Sequence, residues 1–387
     1  MSEIFTPELL ESFESSTQDL NRACLLPPVV YTSEEFFKFE MEAIYNHDWF
    51  CVGRVEQIPN VGDYLAADFA DEQLLVVNTQ EGIRVLSAVC QHRGMVVTEE
   101  SGTTNRFTCP YHHWTYTLDG RLVGAPEMER AEGFQKKDFD LPSLPVELWH
   151  GFIFANFDID AQPLAPSLAE IEPFLANFEL DNCIVREGNT IPDCPWNWKV
   201  MMENFNDPYH ASRLHGPLQT FAPSGMSDFF EWREEMNHIS RIQHFTEIDG
   251  SFNPTKKCML PLFPKLTEAE RMRGAFMLLP PSLGLAIVPD EVAYFIIKPQ
   301  GAGAITLDIN YCFNPEAVKD PMFEYLFEQV ELGLNNFNVQ DVYADTMVQK
   351  GLNSRFGPRG RYSWQEGTLP QFNRWLVKRY REHWPVT

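Results

Sequence analysis

The sequence has few positive charges. It contains 30 Lys and Arg residues against 55 Asp and Glu residues, which gives a formal net charge of −25. Nucleic acids and anionic membrane surfaces are bound through clustered Lys and Arg side chains, so this balance argues against both kinds of partner. The excess of negative charge indicates a solvated acidic surface.

A long uninterrupted apolar run is also missing. The longest apolar stretch, Ala275 to Val288, contains Pro280 and Pro281 and is too short to cross a bilayer. The acidic N-terminal stretch MSEIFTPELLESFE has neither the basic start nor the apolar core of a signal peptide. We therefore expect a cytoplasmic protein.

Two further patterns are absent. No Gly-rich dinucleotide fingerprint follows a predicted strand, so any nicotinamide or flavin cofactor must bind to another protein. Six of the eight cysteines are scattered without a pairing pattern, which is typical of buried free thiols in a reducing compartment. These six are Cys24, Cys51, Cys183, Cys194, Cys258 and Cys312.

The other two cysteines belong to two short metal-binding patterns. CQHRG carries Cys90 and His92, and CPYHHW carries Cys109 and His112. Two Cys and two His can bind one tetrahedral zinc ion or a Rieske [2Fe–2S] cluster. A zinc finger groups its two Cys in one loop and its two His in a helix, whereas each loop here contains one of each. The mixed loops favour the cluster, with both Cys on one iron and both His on the other.

A second group of candidate metal ligands lies further along the chain. The stretch WNWKVMMENFNDPYHASRLH contains Asp207, His210 and His215. Two imidazoles and one carboxylate form the facial triad of non-haem Fe(II) oxygenases. Two His at this spacing are, taken alone, more commonly a surface pair. The carboxylate ligand must come from elsewhere if Asp207 has another task.

Together these patterns resemble the Rieske non-haem iron oxygenases, in the large (alpha) catalytic subunit of the aromatic-ring-hydroxylating dioxygenase family. CQHRG and CPYHHW are similar to the family's cluster-binding loops, and Asn204, Asp207, His210 and His215 match its iron motif N-x-x-D-x-x-H-x4-H. The resemblance implies that both His of this motif bind a mononuclear Fe(II). It also implies that Asp207 links the iron site to a cluster imidazole, that of His112.

The resemblance further implies a third iron ligand, an Asp on a late helix. In the stretch VQDVYADTMVQKGL, Asp341 fits this position best, and Asp345, one helical turn on, is the competitor.

The resemblance also implies partners and an assembly. Electrons from NAD(P)H would arrive through a separate reductase, a ferredoxin or both, and O2 would be the co-substrate. Each iron would receive electrons from the cluster of a neighbouring subunit. That arrangement requires a head-to-tail ring, usually a homotrimer, with or without a small beta subunit.

The predicted fold class is α+β, in three parts. We expect residues 1–48 to form an N-terminal helical segment that packs on the catalytic domain, residues 49–160 a small all-β Rieske [2Fe–2S] domain, and residues 161–387 a catalytic domain with the mononuclear iron. Two hairpins, QLLVVNT with IRVLSAV and WTYTL with RLVGAP, put the cluster loops at the tip of the β domain.

For the catalytic domain, four segments predict an antiparallel sheet: AFMLL, LGLAIV, EVAYFIIKP and AITLDINYCF. Helices are predicted at Met322–Leu352 and at Thr368–Trp384, the second capped by Thr368. The arrangement that the resemblance implies is a helix-grip, START-like domain.

The favoured function is a terminal oxygenase component that hydroxylates an aromatic or other small organic substrate, as in aromatic hydrocarbon catabolism. The alternative is a monooxygenase that N-demethylates or hydroxylates a quaternary or methylated amine of the carnitine or betaine type, which would need an aromatic cage around the cation. Two rivals come from other classes: a non-catalytic Rieske electron-transfer protein and a zinc-stabilised binding protein.

Overall fold

The computed structural model describes residues 4–69 and 72–385 and separates into two compact units. One unit spans Tyr45–Gln162, and the other combines Met1–Ile44 with Pro163–Thr387. The first three residues of the expected N-terminal segment and the last two of the expected catalytic domain lie outside the described residues. The predicted α+β class is confirmed, since one unit consists mainly of antiparallel strands and the other combines helices with an antiparallel sheet.

The smaller unit consists of antiparallel strands joined by turns. They form a five-stranded sheet in the order β5-β2-β3-β4-β9 and two three-stranded sheets, β6-β7-β8 and β1-β11-β10. The strands are β1 (Phe50–Arg54), β2 (Asp63–Phe69), β3 (Glu72–Thr79), β4 (Gly82–Ser87), β5 (Gly102–Thr103), β6 (Phe107–Thr108), β7 (Thr115–Tyr116), β8 (Leu122–Gly124), β9 (Ser143–Leu144), β10 (Val146–Trp149) and β11 (Phe152–Ala155).

Both predicted hairpins are present in this unit. β3 and β4 pair from Leu74↔Ser87 to Thr79↔Gly82, and β7 pairs with β8. One apolar core joins side chains of β3, such as Leu75, to those of β7 and β8, such as Leu122. Cys90 and Cys109 belong to the same core, so the two candidate thiol ligands are shielded from water.

The larger unit is built on one seven-stranded antiparallel sheet, in the order β12-β18-β17-β16-β15-β14-β13. The four strands predicted from the sequence are its β15 to β18, whereas β12, β13 and β14 were not predicted. The strands are β12 (Ile184–Cys194), β13 (Ser227–Phe229), β14 (Ile239–His244), β15 (Arg273–Leu279), β16 (Leu283–Val288), β17 (Glu291–Gly301) and β18 (Ala304–Phe313).

All α-helices of the described residues lie in this larger unit. They are α1 (Pro7–Ser12), α2 (Val29–Thr32), α3 (Glu34–Glu40), α4 (Glu172–Leu175), α5 (Trp198–Asn206), α6 (Pro208–Ala211), α7 (Phe323–Leu352) and α8 (Thr368–His383). Among the residues that the structure describes, no helix combines the length and the apolarity needed to cross a membrane.

Helices α7 and α8 match the two predicted helices, but the predicted cap of α8 is wrong. Gly367 occupies the N-cap position, and Thr368 is the first helical residue. The Thr368 hydroxyl donates instead to the backbone carbonyl of Asn206, at 2.8 Å. Because Asn206 is the last residue of α5, this hydrogen bond ties the start of α8 to the end of α5.

A buried ion pair holds α5 against the N-terminal helices. Lys199 Nζ lies 2.7 Å from Glu40 Oε2, and both side chains are fully buried. Trp198 Nε1 and the Tyr380 hydroxyl also donate to the Glu40 carboxylate. A buried charge left without its partner is strongly destabilising, so these contacts specify how α3, α5 and α8 pack together.

Candidate iron and cluster sites

The iron motif lies where helix α5 ends. Asp207 separates α5 from the short helix α6, which begins at Pro208. Asp207 has an extended backbone (φ −92°, ψ 109°), since the residue before a proline is disfavoured in the helical region. Its carboxylate accepts hydrogen bonds from the backbone N–H groups of Tyr209 and His210 and so caps α6.

Three candidate ligands converge just beyond this break. The ligand atoms of His210, His215 and Asp341 lie within 4.8 Å of one another. The Nε2 atoms of the two imidazoles are 3.2 Å apart, and Asp341 Oδ1 is 2.9 Å from His215 Nε2 and 3.6 Å from His210 Nε2. Two imidazoles and a carboxylate on one side of a common centre are the donor set of a mononuclear Fe(II) site with open positions for O2.

Each imidazole is oriented by a partner at its other nitrogen. Nδ1 of His210 lies 3.2 Å from Asp207 Oδ2, and Nδ1 of His215 lies 3.2 Å from Gln340 Oε1. An Nδ1–H that donates to these oxygens leaves the Nε2 lone pair free to bind a metal. The residues present therefore fit an iron ion. Gln340 was not identified from the sequence, because one amide on a long amphipathic helix carries no signal of its own.

Asp345 lies one turn further along α7 and does not join this group. It is 2% exposed, and burial together with the charge of Asp341 raises its pKa well above the ordinary value for an aspartate. Asn204 lies between the two carboxyl groups: it hydrogen-bonds Asp345, and its Nδ2 is 3.5 Å from Asp341 Oδ1. Asp341, whose carboxylate lies against both imidazoles, is therefore favoured as the third ligand.

The four candidate cluster ligands also come together. The rings of His92 and His112 lie with their centroids 4.5 Å apart, and Trp114 stacks on His92 at 4.7 Å. Cys90 and Cys109 are 2% and 1% exposed, and their thiols are hydrogen-bonding neighbours. The two loops thus present two thiols and two imidazoles to one small volume.

The unsatisfied polar atoms of these loops fit a [2Fe–2S] cluster. His92 Nδ1 is buried without a hydrogen-bond partner among the described residues. Burial and the neighbouring His112 lower the pKa of His92, which favours the neutral imidazole that binds a metal. Burial, together with the Cys90 thiol, raises the pKa of Cys109. By contrast, His113 is exposed and turned away by a left-handed backbone, φ 57°.

Tyr116 supports the first cluster loop and was also missed in the sequence. Its hydroxyl oxygen accepts a hydrogen bond from the Gln91 backbone N–H at 3.1 Å and lies 3.3 Å from Cys90 Sγ. Since the oxygen already accepts from Gln91, the hydroxyl hydrogen is available to the sulfur. Hydrogen bonds to cluster sulfurs are one of the determinants of reduction potential.

A cavity opens beside the convergent His–His–Asp group. Its empty volume is about 940 Å³, including space open to solvent. Phe205 of α5, Phe276 and Phe295 of the sheet and Phe252 line it in mutual contact, with ring centroids 5.1–5.6 Å apart. Gly284 leaves room for this wall, because a Cβ there would lie 3.1 Å from the Phe205 ring.

Comparison with known proteins gives matches over most of the chain. The family description "Rieske [2Fe-2S] domain" matches residues 48–145, and "Ring hydroxylating alpha subunit (catalytic domain)" matches residues 180–382. The carnitine monooxygenase oxygenase subunit of Acinetobacter pittii is 31% identical over 88% of both chains. The biphenyl 2,3-dioxygenase subunit alpha of Rhodococcus jostii is 38% identical over 50% of this chain and 44% of its own length.

Solved structures share the fold of this chain. A quaternary ammonium Rieske monooxygenase superposes with a TM-score of 0.80 at 22% identity, covering 95% of this chain and 98% of that one. Naphthalene 1,2-dioxygenase from Rhodococcus sp. superposes with a TM-score of 0.81 at 20% identity, covering 97% and 99%.

The contact between Gln340 and His215 can be tested by iron binding. Gln340→Leu removes the acceptor for His215 Nδ1–H, so we expect Fe(II) to bind about 10- to 100-fold more weakly. Gln340→Glu keeps an acceptor oxygen and should retain most of the affinity. Val339→Ala, at an exposed neighbouring position, is the control. Fe(II) titration of the three variants measures these affinities. Wild-type affinity in Gln340→Leu would contradict the role of Gln340 in orienting His215.

The contact between Tyr116 and Cys90 can be tested by potentiometry. Tyr116→Phe removes a hydrogen bond that stabilises the more negative, reduced cluster, so the potential should fall by tens of millivolts, given that about 59 mV corresponds to about 1.4 kcal/mol for one electron. Tyr64→Phe, in the same core but without a contact to sulfur, is the matched control. Equal potentials in the two variants would contradict the proposed donation to sulfur.

Proposed function

We propose, since this chain belongs to the Rieske non-haem iron oxygenases as a ring-hydroxylating alpha subunit, that it hydroxylates a small aromatic substrate beside His210, His215 and Asp341. It is a terminal oxygenase component, with a Rieske [2Fe–2S] cluster and a mononuclear iron as cofactors. One observation carries the proposal: the His–His–Asp group forms part of the wall of a phenylalanine-lined cavity large enough for a small organic molecule.

Two sets of ligands follow from this proposal. Cys90, Cys109, His92 and His112 hold the cluster, and the His–His–Asp group of α6, the following turn and α7 holds the iron. When bound, the iron supplies the activation of O2, and the cluster stores and delivers one electron at a time.

The chain's own residues then orient the ligands and shape the cavity. Asp207 holds the proton on His210 Nδ1 and keeps that ring directed at the common centre. Gln340 does the same for His215. The phenylalanine wall excludes water from the reacting atoms and favours a flat apolar substrate ring.

We place the electron donor for each iron in a neighbouring subunit of a homotrimer. Asp207 is the proposed link, because its carboxylate contacts His210 and can receive a second hydrogen bond from an imidazole outside its own site. Two exposed aromatic side chains adjoin the two motifs: Tyr111, next to His112, is 52% exposed, and Tyr209, next to Pro208, is 49% exposed. Exposed aromatic residues of this kind are enriched at protein interfaces.

A second candidate function is oxidation of a methylated amine. The similarity to a carnitine monooxygenase oxygenase subunit over 88% of both chains favours it. The phenylalanine wall could surround an ammonium group through cation–π contacts. N-demethylation would then replace ring hydroxylation at the same iron.

A single-turnover experiment distinguishes ring hydroxylation from oxidation of a methylated amine. Chemically reduced protein with full cluster and iron content would be mixed with ¹⁸O2 and a panel of arenes, aromatic acids and methylated amines. We expect a ring-hydroxylated product that carries the label, identified by mass spectrometry. Formaldehyde from a methyl group would establish the second function instead.

His210→Ala, with its cluster spectrum intact, is the control for this experiment. It should lose turnover by several orders of magnitude, because the cavity then lacks a metal ligand. Undiminished turnover in this variant would contradict the proposed iron site.

Subunit mixing tests the proposed electron path. His210→Ala removes an iron ligand, and His112→Cys keeps four cluster ligands but lowers the potential by replacing an imidazole with a thiolate. Each variant alone should be inactive. In trimers that contain both at random, a normal iron adjoins a normal cluster of the next subunit at about a quarter of the sites, so about a quarter of the activity should return.

Differently tagged subunits show whether mixed trimers have formed. Mixed trimers without activity would mean that each iron uses the cluster of its own chain. A monomer with full activity would contradict the proposed assembly.

A further inference from the structure

Arg241 is a buried arginine in the wall of the catalytic cavity. It lies on β14 and is 4% exposed, and it lines the same cavity as His210 and Asp341. The register of β14 against β15 pairs Arg241 with Phe276, and its guanidinium lies 4.0 Å from the centre of the Phe276 ring. Arginine is almost never fully buried without a charged partner, so its presence here calls for a physical reason.

The protein itself satisfies only part of this guanidinium. Nη1 donates to Gln243 Oε1 at 3.0 Å, and Nε is buried without an acceptor among the described residues. Gln243 is neutral and is already held in place, since its Nε2 donates to the backbone carbonyl of Pro223 at 2.9 Å and its Oε1 accepts from Ser227. Gln243 thus orients the arginine but does not neutralise it.

The charge of Arg241 is retained in the cavity. Burial lowers its pKa to about 9, while attraction to Asp207 acts in the opposite direction. The guanidinium therefore stays protonated at neutral pH. Asp207 is not a free counter-ion, because its carboxylate caps α6 and contacts His210. Asp341 likewise contacts His215, and among the described residues Arg241 forms no ion pair with a carboxylate.

Other cavity-lining groups are also donors without acceptors. Trp196 Nε1 and Asn338 Nδ2 are buried and have no partner among the described residues. A cavity wall that contains a buried cation without a carboxylate partner is complementary to a ligand that brings anionic acceptor oxygens.

We propose that Arg241 is a substrate-binding residue that receives a carboxylate, so that the substrate of this chain is a small organic acid. This inference rests on the proposed function, in that it takes this cavity as the place where the substrate reacts. The planar fork of a guanidinium matches the two oxygens of a carboxylate. A neutral arene would leave the buried charge unpaired when it displaced water, whereas a carboxylate would neutralise it.

Two kinds of acid carry the required group. An aromatic acid would place its ring against the phenylalanine wall, and a methylated amino acid of the betaine type would place its ammonium group there. Asp207 caps α6 and Asp341 contacts His215, so both carboxylates are engaged and the phenylalanine faces remain for an ammonium group. Aromatic acids are therefore the favoured source.

Calorimetric titration of the assembled, iron-loaded protein tests the proposal without turnover. The probes form two pairs: benzoate with benzamide, and glycine betaine with choline. Within each pair the apolar or cationic part is kept, and only the acid contains the carboxylate. The variants are Arg241→Gln, which removes the charge, and Arg241→Lys, which keeps it without the planar fork.

Arg233→Gln serves as the matched control at an exposed position. Iron content and the cluster spectrum show that each variant is folded. We expect wild-type protein and Arg233→Gln to bind one of the two acids more tightly than its uncharged or carboxylate-free counterpart. Arg241→Gln should bind that acid about 10- to 100-fold more weakly, as expected for loss of a charge-assisted hydrogen bond, and Arg241→Lys should fall between.

Failure of this proposal is distinguishable from failure of the proposed function. Equal acid affinity in Arg241→Gln and wild type, or a wild type that binds only the probes without a carboxylate, would overturn the role of Arg241 even if oxygen transfer occurs. Tight acid binding that depends on Arg241, with no oxygen transferred to any acid, would support this role and overturn the proposed reaction. Benzoate or glycine betaine as the preferred probe identifies the kind of acid.

Discussion

The geometry of the iron site depends on the break in the backbone at Asp207 and Pro208. In an uninterrupted helix, His215 would lie about 140° around the axis from His210, because five residues correspond to about 500° of rotation. The proline ends α5, and the short helix α6 and the turn after it bring His215 back, so that its Nε2 lies 3.2 Å from that of His210. The same residue that permits the break, Asp207, caps the new helix and orients His210.

This break can position the two imidazoles only if α5 itself is held in place. On one side, the buried pair of Lys199 and Glu40 holds α5 to the N-terminal helices. Elsewhere on α5, Phe205 packs over Gly284 of the sheet, where a Cβ would lie 3.1 Å from the Phe205 ring and would require the ring to shift. Because Lys199 and Phe205 lie about 120° apart around the axis of α5, a shift of that helix would disturb both the buried charge and the cavity wall. The positions of the imidazoles thus depend on residues that do not touch them.

The sequence allowed the ligands to be predicted better than their supports. Cys90, His92, Cys109 and His112, and the His pair near Asp207, stand at local spacings, so each group could be recognised before the fold was known. Gln340 and Tyr116 act through contacts made across the fold, which no local pattern encodes. The cap predicted at Thr368 was wrong because its hydroxyl bonds to the distant Asn206 instead of its own helix.

The residues of β12 and β14 also explain why these two strands were not predicted. The strand β14 carries the buried polar residues Arg241 and Gln243 at alternate positions, which removes the apolar alternation by which strands are recognised. β12 contains Gly188 and Pro192 and is largely exposed, so its sequence also lacks the apolar alternation of a strand. Buried polar residues on a strand thus weaken a structural prediction and at the same time indicate function. In this cavity, aromatic contact supplies affinity that grows with area but has little directionality, whereas a single buried guanidinium would fix which end of a bound acid lies at Arg241.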